Sequence, residues 1–296
     1  MNDARSLTLS LGGKWHGRYG AAPCPICQPD RRKGQNALTL SDAPGGRLLA
    51  HCKKGACSFA DLARALGLSP GDFTRPDPAE RTRAEALARA EAGKRAGQAL
   101  ALWSESLPIN GSPAETYLRG RGLSLDLPAT LRFHPACWHG ATARPLPAMI
   151  ALVEGCAFPA VHRTYLCPDG SGKAPVEPAK AMLGGVQGGA VRLSEVQGRL
   201  VVAEGIETAL SLARVRVFVS EPMTLWAALS TSGLRGLRLP SKPGALTIAT
   251  DGDEAGRSAG HALAERASAL GWKVSLLPAP EGRDWNDVLT MKGDAA

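Results

Sequence analysis

The last third of the chain alternates short apolar runs with segments whose composition favours helices. The runs RLVVAEG, ALTIATDGD and KVSLLPAP are predicted strands, and a weaker strand is expected near Thr224–Ala228. IETALSLARV follows the first run and EAGRSAGHALAERASALG follows the second, and both are predicted helices. Apolar strands that alternate with helices are typical of a parallel sheet covered by helices. The pattern therefore predicts an α/β fold for residues 198–296.

Two segments of different character open the chain. Residues 1–72 carry a cysteine cluster and end in a predicted helix, FADLARALGL. Residues 73–110 begin with the Pro-rich turn TRPDPAE and continue as a run rich in Ala, Glu, Lys and Arg. These residues are strong helix formers, so we expect a long and mostly exposed helix that links two domains.

Residues 111–197 form a mixed segment. A capping sequence that starts at Ser112 opens a predicted helix containing TYLRGRGL. Short strands are expected at Ala148–Val153 and Ala160–Tyr165. We therefore expect four segments in all, with boundaries after residues 72, 110 and 197.

Composition and charge narrow the class of protein. With 296 residues, of which 44% are hydrophobic, the chain is long enough for about two domains with real cores. The formal net charge of +8 favours a polyanionic partner, because Lys and Arg displace counterions from phosphates. No apolar run approaches the length of about 18 residues that a membrane span needs, and no targeting signal is evident. We expect a cytoplasmic protein with no membrane partner.

Four of the seven cysteines form two pairs, Cys24-x-x-Cys27 and Cys52-x-x-x-x-Cys57. The segment between the pairs, NALTLSDAPGGRLLAH, is predicted to form two strands joined by a Pro-Gly-Gly turn. Two cysteine pairs at the ends of a small hairpin can close a tetrahedral Zn²⁺ site, which would stabilise a unit with little core. His51, beside Cys52, is an alternative ligand. The odd total and the scattered remaining cysteines favour a metal site in a reducing compartment over disulfides.

Aromatic and basic side chains surround the cysteine pairs. Aromatic platforms mixed with cations are a common way to hold single-stranded nucleic acid. A solvated basic surface is the alternative interpretation. The residues concerned are Trp15, His16, Arg18, Tyr19, Arg31, Arg32, Lys33, Lys53 and Lys54.

Acidic residues follow two of the predicted strands in the last third of the chain. Glu204 lies at the end of RLVVAEG, whereas Asp251 and Asp253 lie at the end of ALTIATDGD. Ligands of parallel α/β sheets collect at the carboxyl ends of the strands, and a carboxylate cluster is costly unless a cation neutralises it. Hard oxygen ligands favour Mg²⁺ or Mn²⁺. Asp284 and Asp287 follow the last strand and could complete the cluster, whereas helix capping is the alternative role for Asp253.

Several of these motifs resemble a known family. AEGIETALS followed by ATDGDEAGRSAG resembles the Toprim domain of primases and topoisomerases, which pairs a glutamate after one strand with Asp-x-Asp after a later strand. AETYLRGRGL with LRFHP resembles the opening of the DnaG-type primase core, and VHRTYLCPDGSGKAPVEPAKAMLGG resembles its later basic segment. The cysteine region resembles the N-terminal zinc domain of the same enzymes. The resemblance implies a Toprim parallel sheet flanked by helices, with a separate N-terminal zinc-ribbon domain.

The resemblance also implies a function. It is that of a primase-like nucleotidyltransferase that makes short primers on single-stranded DNA from nucleoside triphosphates, with catalytic Mg²⁺ or Mn²⁺ and structural zinc. Glu204 resembles the family's acid/base or metal-ligand glutamate, and Asp251 and Asp253 match its metal-binding pair. The expected magnesium ligands are Glu204, Asp251, Asp253, Asp284 and Asp287. The residues expected to hold nucleotide or template are Arg119, Arg121, Lys173 and Lys180.

Three positions depart from the family's pattern. Cys27 stands where the zinc domain often has histidine. Thr208 stands where an aspartate often follows the glutamate by four residues, with Glu207 next to it as a substitute. Asn286 takes the place of the second acid of the terminal pair, with Asp287 beside it. The sequence contains no GxxxxGK[ST] motif, so we expect helicase activity to come from a separate replicative helicase.

Two other functions stay open on the sequence. Toprim domains also serve metal-dependent nucleases, so the acidic site is compatible with phosphodiester cleavage. A non-catalytic accessory that binds single strands or a helicase is the second alternative, which the departures at Thr208 and Asn286 favour and the intact acidic residues oppose. A topoisomerase is disfavoured, because no strand-gating domain is evident and the tyrosines available as nucleophiles are Tyr19, Tyr117 and Tyr165.

Overall fold

The structure is a computed structural model, which describes residues 3–17, 19–32, 34–43, 48–55, 57–68, 78–123, 126–196, 198–214 and 222–293. The chain divides into two compact units, Met1–Ala84 and Glu85–Ala296. The Pro-Gly-Gly turn, the start of the Pro-rich turn, Arg18 and Lys33 lie outside the described residues.

The first unit contains a small antiparallel sheet with one helix before it and one after it. The strands, in pairing order, are β1 (Lys14–Trp15), β2 (Gly20–Ala22), β3 (Leu38–Asp42) and β4 (Leu48–Cys52). The helices are α1 (Ala4–Ser10) and α2 (Phe59–Ala65). Leu38 and Leu40 alternate toward a core that they share with Leu7 and Leu62. The predicted hairpin strands and the helix in FADLARALGL are therefore confirmed, whereas α1 was not predicted.

An antiparallel sheet opens the second unit. Its strands, in pairing order, are β5 (Leu107–Pro108), β6 (Leu131–His139), β7 (Arg144–Val153), β8 (Ala160–Tyr165) and β9 (Lys180–Leu183). The helices near it in sequence are α3 (Pro78–Glu105) and α4 (Pro113–Gly120). The long predicted helix is α3, and its residue Ala99 is fully buried in a core with Ile150 and Tyr165 of the sheet. Ser112 caps α4, as its sequence predicts.

A mixed sheet follows, and it contains the predicted parallel strands. In pairing order the strands are β10 (Val191–Glu195), β12 (Met223–Ala227), β11 (Arg199–Ala203), β13 (Ala245–Thr250) and β14 (Lys273–Pro278). All neighbours are parallel except β10, which is antiparallel to β12. The helices are α5 (Ile206–Leu212), α6 (Thr231–Gly236), α7 (Glu254–Ala269) and α8 (Trp285–Gly293). The predicted α/β fold is confirmed, with an antiparallel edge strand added.

One hydrophobic core joins the two sheets of the second unit. Met149 of β7 and Leu225 of β12 share it with α4 and with α5, whose residues are all buried. Leu263 of α7 packs on the opposite face of the mixed sheet, in a second core. Because β10 precedes residue 198 and yet belongs to the mixed sheet, the sheet extends across a predicted boundary. The predicted domain boundaries themselves stay predictions.

No helix in the described parts of the chain has both the length and the apolar character that crossing a membrane requires.

Candidate functional site

The four cysteines of the first unit converge on one point. Their sulfur atoms all lie within 4.8 Å of one another. The Cys24 and Cys57 sulfurs are 3.9 Å apart, and those of Cys27 and Cys52 are 3.5 Å apart. Four sulfurs in a tetrahedron about 2.3 Å from a Zn²⁺ ion would be separated by about 3.8 Å. The cluster therefore fits zinc, and within the described residues His51 does not belong to it.

The loop between Cys52 and Cys57 is shaped to bring these two thiols together. The Gly55 N–H donates to the Cys52 sulfur at 3.3 Å. Burial raises the pKa of Cys52, but the N–H groups of Gly55, Lys54 and Cys57 outweigh it and lower the pKa to about 6. A Cβ atom at Gly55 would lie 2.8 Å from the Cys27 Cβ and 3.1 Å from two of the sulfurs. The longer Cys52–Cys57 spacing is therefore compatible with the cluster because glycine occupies position 55.

A surface depression of about 390 Å³ lies on the β3–β4 hairpin of the same unit. Leu49 and Phe59, which line it, are 44% and 40% exposed. Thr39, Ser41, Ala50 and His51 complete its lining. This apolar surface was not predicted, although the alternation of LLAH in β4 turns Leu49 away from the core side of Leu48.

In the second unit, Glu204 and Asp251 lie at the carboxyl ends of neighbouring strands of the mixed sheet. We call this end of the sheet, with Asp253 beside it, the acidic edge. Glu204 directly follows β11 and Asp251 directly follows β13, and these two strands are parallel neighbours with Ala203 paired to Ala249. Asp253 is the N-cap of α7, where its Oδ1 accepts from the Gly256 N–H at 2.6 Å. The capping alternative for Asp253 is thus realised. It leaves Asp253 close enough for its charge to act on the other two carboxyl groups.

Burial and mutual repulsion make these carboxyl groups hard to ionise. Burial, followed by the charges of Asp251 and Asp253, raises the pKa of Glu204 to about 7. Burial, followed by the charges of Asp284 and Asp253, raises the pKa of Asp251 to about 6. The positive charge of Lys180 opposes both shifts. Such a cluster is one that a bound cation would stabilise.

The donor set of this edge suits a hard cation that keeps part of its hydration shell. Across the described residues, no three acidic side chains bring their oxygens within 4.8 Å of one another. A closed, all-protein cage is therefore not formed. Mg²⁺ commonly binds through one or two carboxylates and retains waters that phosphate oxygens can replace. A site in which Glu204 and Asp251 are the protein ligands fits this mode.

The loop that carries Asp251 and Asp253 is tightly held. The Gly252 N–H donates to the Arg283 carbonyl at 2.8 Å, and the Arg257 Nη1 donates to the Gly252 carbonyl at 2.7 Å. A Cβ atom at Gly252 would collide with the Pro280 carbonyl oxygen. Glycine is therefore required between the two aspartates for the loop to pack here.

Asp284 and Asp287 form a reciprocal cap at the start of α8. The Asp287 N–H donates to Asp284 Oδ1 at 2.8 Å, and the Asp284 N–H donates to Asp287 Oδ2 at 3.1 Å. Asp284 also lies 3.9 Å from the Arg121 guanidinium and acts on Asp251 through its charge. Asp287 is exposed. Of the two predicted magnesium ligands, Asp284 is thus the one that the structure places near the edge.

The two departures from the family's acidic pattern have structural roles. The Thr208 hydroxyl donates to Asp251 Oδ1 at 3.4 Å. Asn286 is buried, and its Nδ2 donates to the Arg121 carbonyl at 2.9 Å and to the Ser211 hydroxyl at 3.1 Å. Thr208 therefore contacts the acidic edge, whereas Asn286 connects α8 to α5 and to the end of α4.

Three of the four predicted basic residues come together near the edge. Lys180 acts on Glu204 and Asp251 through its charge, and Arg121 lies beside Asp284. Partial desolvation, followed by the charge of Lys180, lowers the pKa of Lys173. Arg119 is instead bound to Glu115 at 2.8 Å and to the Leu123 carbonyl at 2.9 Å.

Comparison with known proteins finds two family matches in the second unit. Residues 199–295 match the Toprim domain family. Residues 93–193 match a domain of unknown function, DUF7146. No curated protein sequence matches the chain at a significant level.

Three solved structures are distant matches to this chain. The zinc-binding and RNA polymerase domains of the Aquifex aeolicus primase are 12% identical, with a TM-score of 0.39 over 100% of this chain and 84% of that one. The RNA polymerase domain of Mycobacterium tuberculosis primase DnaG is 18% identical, with a TM-score of 0.37 over 70% and 81% of the two chains. A DNA primase domain from Pseudomonas aeruginosa is 18% identical, with a TM-score of 0.35 over 62% and 69%. At these scores the likenesses carry no conclusion about activity.

Proposed function

Residues 199–295 form a Toprim domain, and from this premise we propose that the protein is a primase-like nucleotidyltransferase that makes short primers on single-stranded DNA. The proposal rests above all on one observation. Glu204 and Asp251 follow adjacent parallel strands, so that two carboxylates that are hard to ionise share one edge with the positive charge of Lys180. An arrangement of this kind suits a metal ion with a polyphosphate.

In this proposal Glu204, Asp251 and Asp253 hold Mg²⁺ or Mn²⁺, with Asp284 nearby. The bound ion would orient the attacking 3′-hydroxyl and neutralise charge on the departing pyrophosphate. Glu204 would either ligate the ion or accept the proton of the attacking hydroxyl. The triphosphate would be bound by Arg121, Lys173 and Lys180, because their positive charges compensate its negative charge.

The first unit would supply the template-binding part of the protein. Zinc bound by Cys24, Cys27, Cys52 and Cys57 would stabilise it. The exposed apolar surface around Leu49 and Phe59 can stack against bases, and the exposed Lys53 and Lys54 can neutralise phosphates. We further propose that residues 1–72, 111–197 and 198–296 act as successive modules in the cytoplasm, together with a separate helicase.

A primer-synthesis assay tests the proposal. Wild-type protein given single-stranded DNA, labelled nucleoside triphosphates and Mg²⁺ should make short oligonucleotides. Asp251→Asn should reduce the rate about a thousandfold or more, because it removes a ligand charge at the reacting centre. Asp61→Asn makes the same chemical change at an exposed position of α2 and should leave the rate unchanged.

Two other outcomes would replace the proposal. Degradation of the DNA without synthesis, abolished by Asp251→Asn, would identify a nuclease. If the wild type shows neither reaction with Mg²⁺ or Mn²⁺, with or without a helicase, the non-catalytic accessory function stands.

A further inference from the structure

Glu207 is a buried carboxylate with an ordered set of partners. Only 6% of its side chain is exposed. Its Oε1 accepts from the Tyr117 hydroxyl at 2.8 Å, and its Oε2 lies 3.0 Å from the Lys180 ammonium. A buried charge is costly unless it is paired and hydrogen-bonded, and here both oxygens have a partner. Glu207 is therefore not available to replace the aspartate that the family often has at the position of Thr208.

The ion pair between Glu207 and Lys180 joins two elements that are far apart in sequence. Glu207 lies on α5, one turn after Glu204, whereas Lys180 begins β9 at the edge of the antiparallel sheet. The pair is asymmetric, because 38% of the Lys180 side chain is exposed. The carboxylate is thus fixed in the interior while the ammonium reaches the open side. The charge of Lys180 acts there on Glu204 and Asp251.

Without the Glu207 charge, the Lys180 ammonium would lose its ion-pair partner at 3.0 Å. Lys173 is close enough for its charge to interact with Lys180, and that repulsion would remain. It would move the flexible lysine side chains apart and toward solvent. Tyr117, which is buried, holds the carboxylate through the oxygen that Lys180 does not contact.

We propose that Glu207 is a positioning residue that holds the Lys180 ammonium at the acidic edge, where Lys180 binds the phosphates of a nucleoside triphosphate. This inference rests on the proposed function, because it takes the nucleotide as the ligand of Lys180. Tyr117 supports the same arrangement by fixing the orientation of the Glu207 carboxylate. Removing the Glu207 charge should therefore weaken nucleotide binding through Lys180 and not through a general loss of structure.

A double-mutant cycle on the full-length protein tests this coupling. The variants are Glu207→Gln, Lys180→Met and the double variant, and the probe is MgATP in isothermal titration calorimetry. We expect Glu207→Gln to raise the Kd about tenfold in the wild-type background and less than about twofold in the Lys180→Met background. Glu195→Gln makes the same chemical change at an exposed carboxylate, which pairs with Arg192, and should leave the Kd unchanged.

Several outcomes would overturn the inference. Equal effects of Glu207→Gln in both backgrounds, or a folded Glu207→Gln variant with wild-type affinity, would assign Glu207 a purely structural role. If Glu207→Gln does not fold, Tyr117→Phe replaces it in the same cycle, with a Kd increase of about threefold expected only where Lys180 is present. A Tyr117→Phe effect that persists without Lys180 would also overturn the inference.

The same measurements separate this inference from the proposed function. MgATP binding with the expected non-additivity, but without primer synthesis, would leave the positioning role intact and remove the primase function. Primer synthesis together with additive effects of Glu207→Gln and Lys180→Met on the Kd would support the primase function and remove the positioning role. A wild-type protein that neither binds MgATP nor makes primers would remove both.

Discussion

The cysteine cluster and the acidic edge are two candidate metal sites that are organised in opposite ways. The four sulfurs lie within 4.8 Å of one another, and they come from one short hairpin and its flanking turns. The acidic edge combines side chains that follow β11 and β13, about 47 residues apart in sequence, and its carboxylates are more widely spaced. A closed set of ligands suits a structural ion, whereas an open set leaves positions for water and substrate. The two arrangements therefore favour different roles, a structural ion at the cysteines and an exchangeable ion at the acidic edge.

Loss of zinc should have the largest effect, because the first unit has a small core. Cys52→Ser should remove the metal and destabilise the first unit by about 5 kcal/mol or more. The second unit should stay folded, because its core is separate. Elemental analysis and hydrogen exchange would measure both effects, and Cys167→Ser, outside the cluster, is the control. A Cys52→Ser protein with normal zinc content would contradict the four-cysteine site.

Gly252→Ala should break the acidic edge while leaving the cysteine cluster intact. The added methyl group would collide with the Pro280 carbonyl and displace the loop that carries Asp251 and Asp253. A displacement of this kind should reduce primer synthesis about a hundredfold. Gly236→Ala, where the added Cβ meets nothing within 4 Å, should have little effect. Full activity of Gly252→Ala would show that the observed loop conformation is not required for the reaction.

Substitutions of Asp284 and Asp287 would test which carboxylates belong to the acidic edge. Asp284→Asn should reduce primer synthesis about tenfold, because it removes a negative charge near Asp251 that would help to attract the cation. Asp287→Asn should instead cost about 0.5 kcal/mol of stability, because it removes a negative charge from the first turn of α8, with little change in the rate per folded molecule. Rates measured beside thermal unfolding would separate the two effects. An equal loss of rate in both variants would make Asp287 a magnesium ligand, as the sequence predicts.

A pH dependence of stability should also arise from Glu204. Its pKa rises from 4.5 in the unfolded chain to about 7 in the folded protein. Between these values the folded state holds the extra proton, so the free energy of unfolding falls as pH rises. Allowing for solvent screening, we expect Glu204→Gln to gain about 1 to 2 kcal/mol relative to wild type across this range without metal.

Chemical denaturation at several pH values in a chelating buffer would measure this difference. The comparison with Glu204→Gln is needed because the titration of His162 changes the free energy of unfolding with pH in the opposite direction. Burial, followed by the charge of Lys180, lowers the pKa of His162 to about 4, so its contribution to stability increases with pH up to about 6.5. His162 is present in both proteins and cancels in the difference. Parallel stability curves for the two proteins would contradict the raised pKa of Glu204.

The sequence by itself determined the features that depend on local periodicity and spacing. The alternation of apolar strands and helices predicted β11, α5, β13, α7 and β14, because strands and helices differ in the repeat of their buried positions. The two cysteine pairs predicted one cluster, because the hairpin that separates them is short. The position of Glu204 and Asp251 at one edge followed from the parallel order of the strands.

The tertiary structure decided the partners of residues that local patterns do not relate. Glu207 pairs with Tyr117, 90 residues earlier, and with Lys180, 27 residues earlier. Asn286 reaches Arg121 across 165 residues. These contacts exist because two sheets share one core around α5, and the sequence periodicity of α5 indicates only that it is apolar and helical. Which polar groups face a buried carboxylate depends on how the sheets pack, so only the folded chain reveals it.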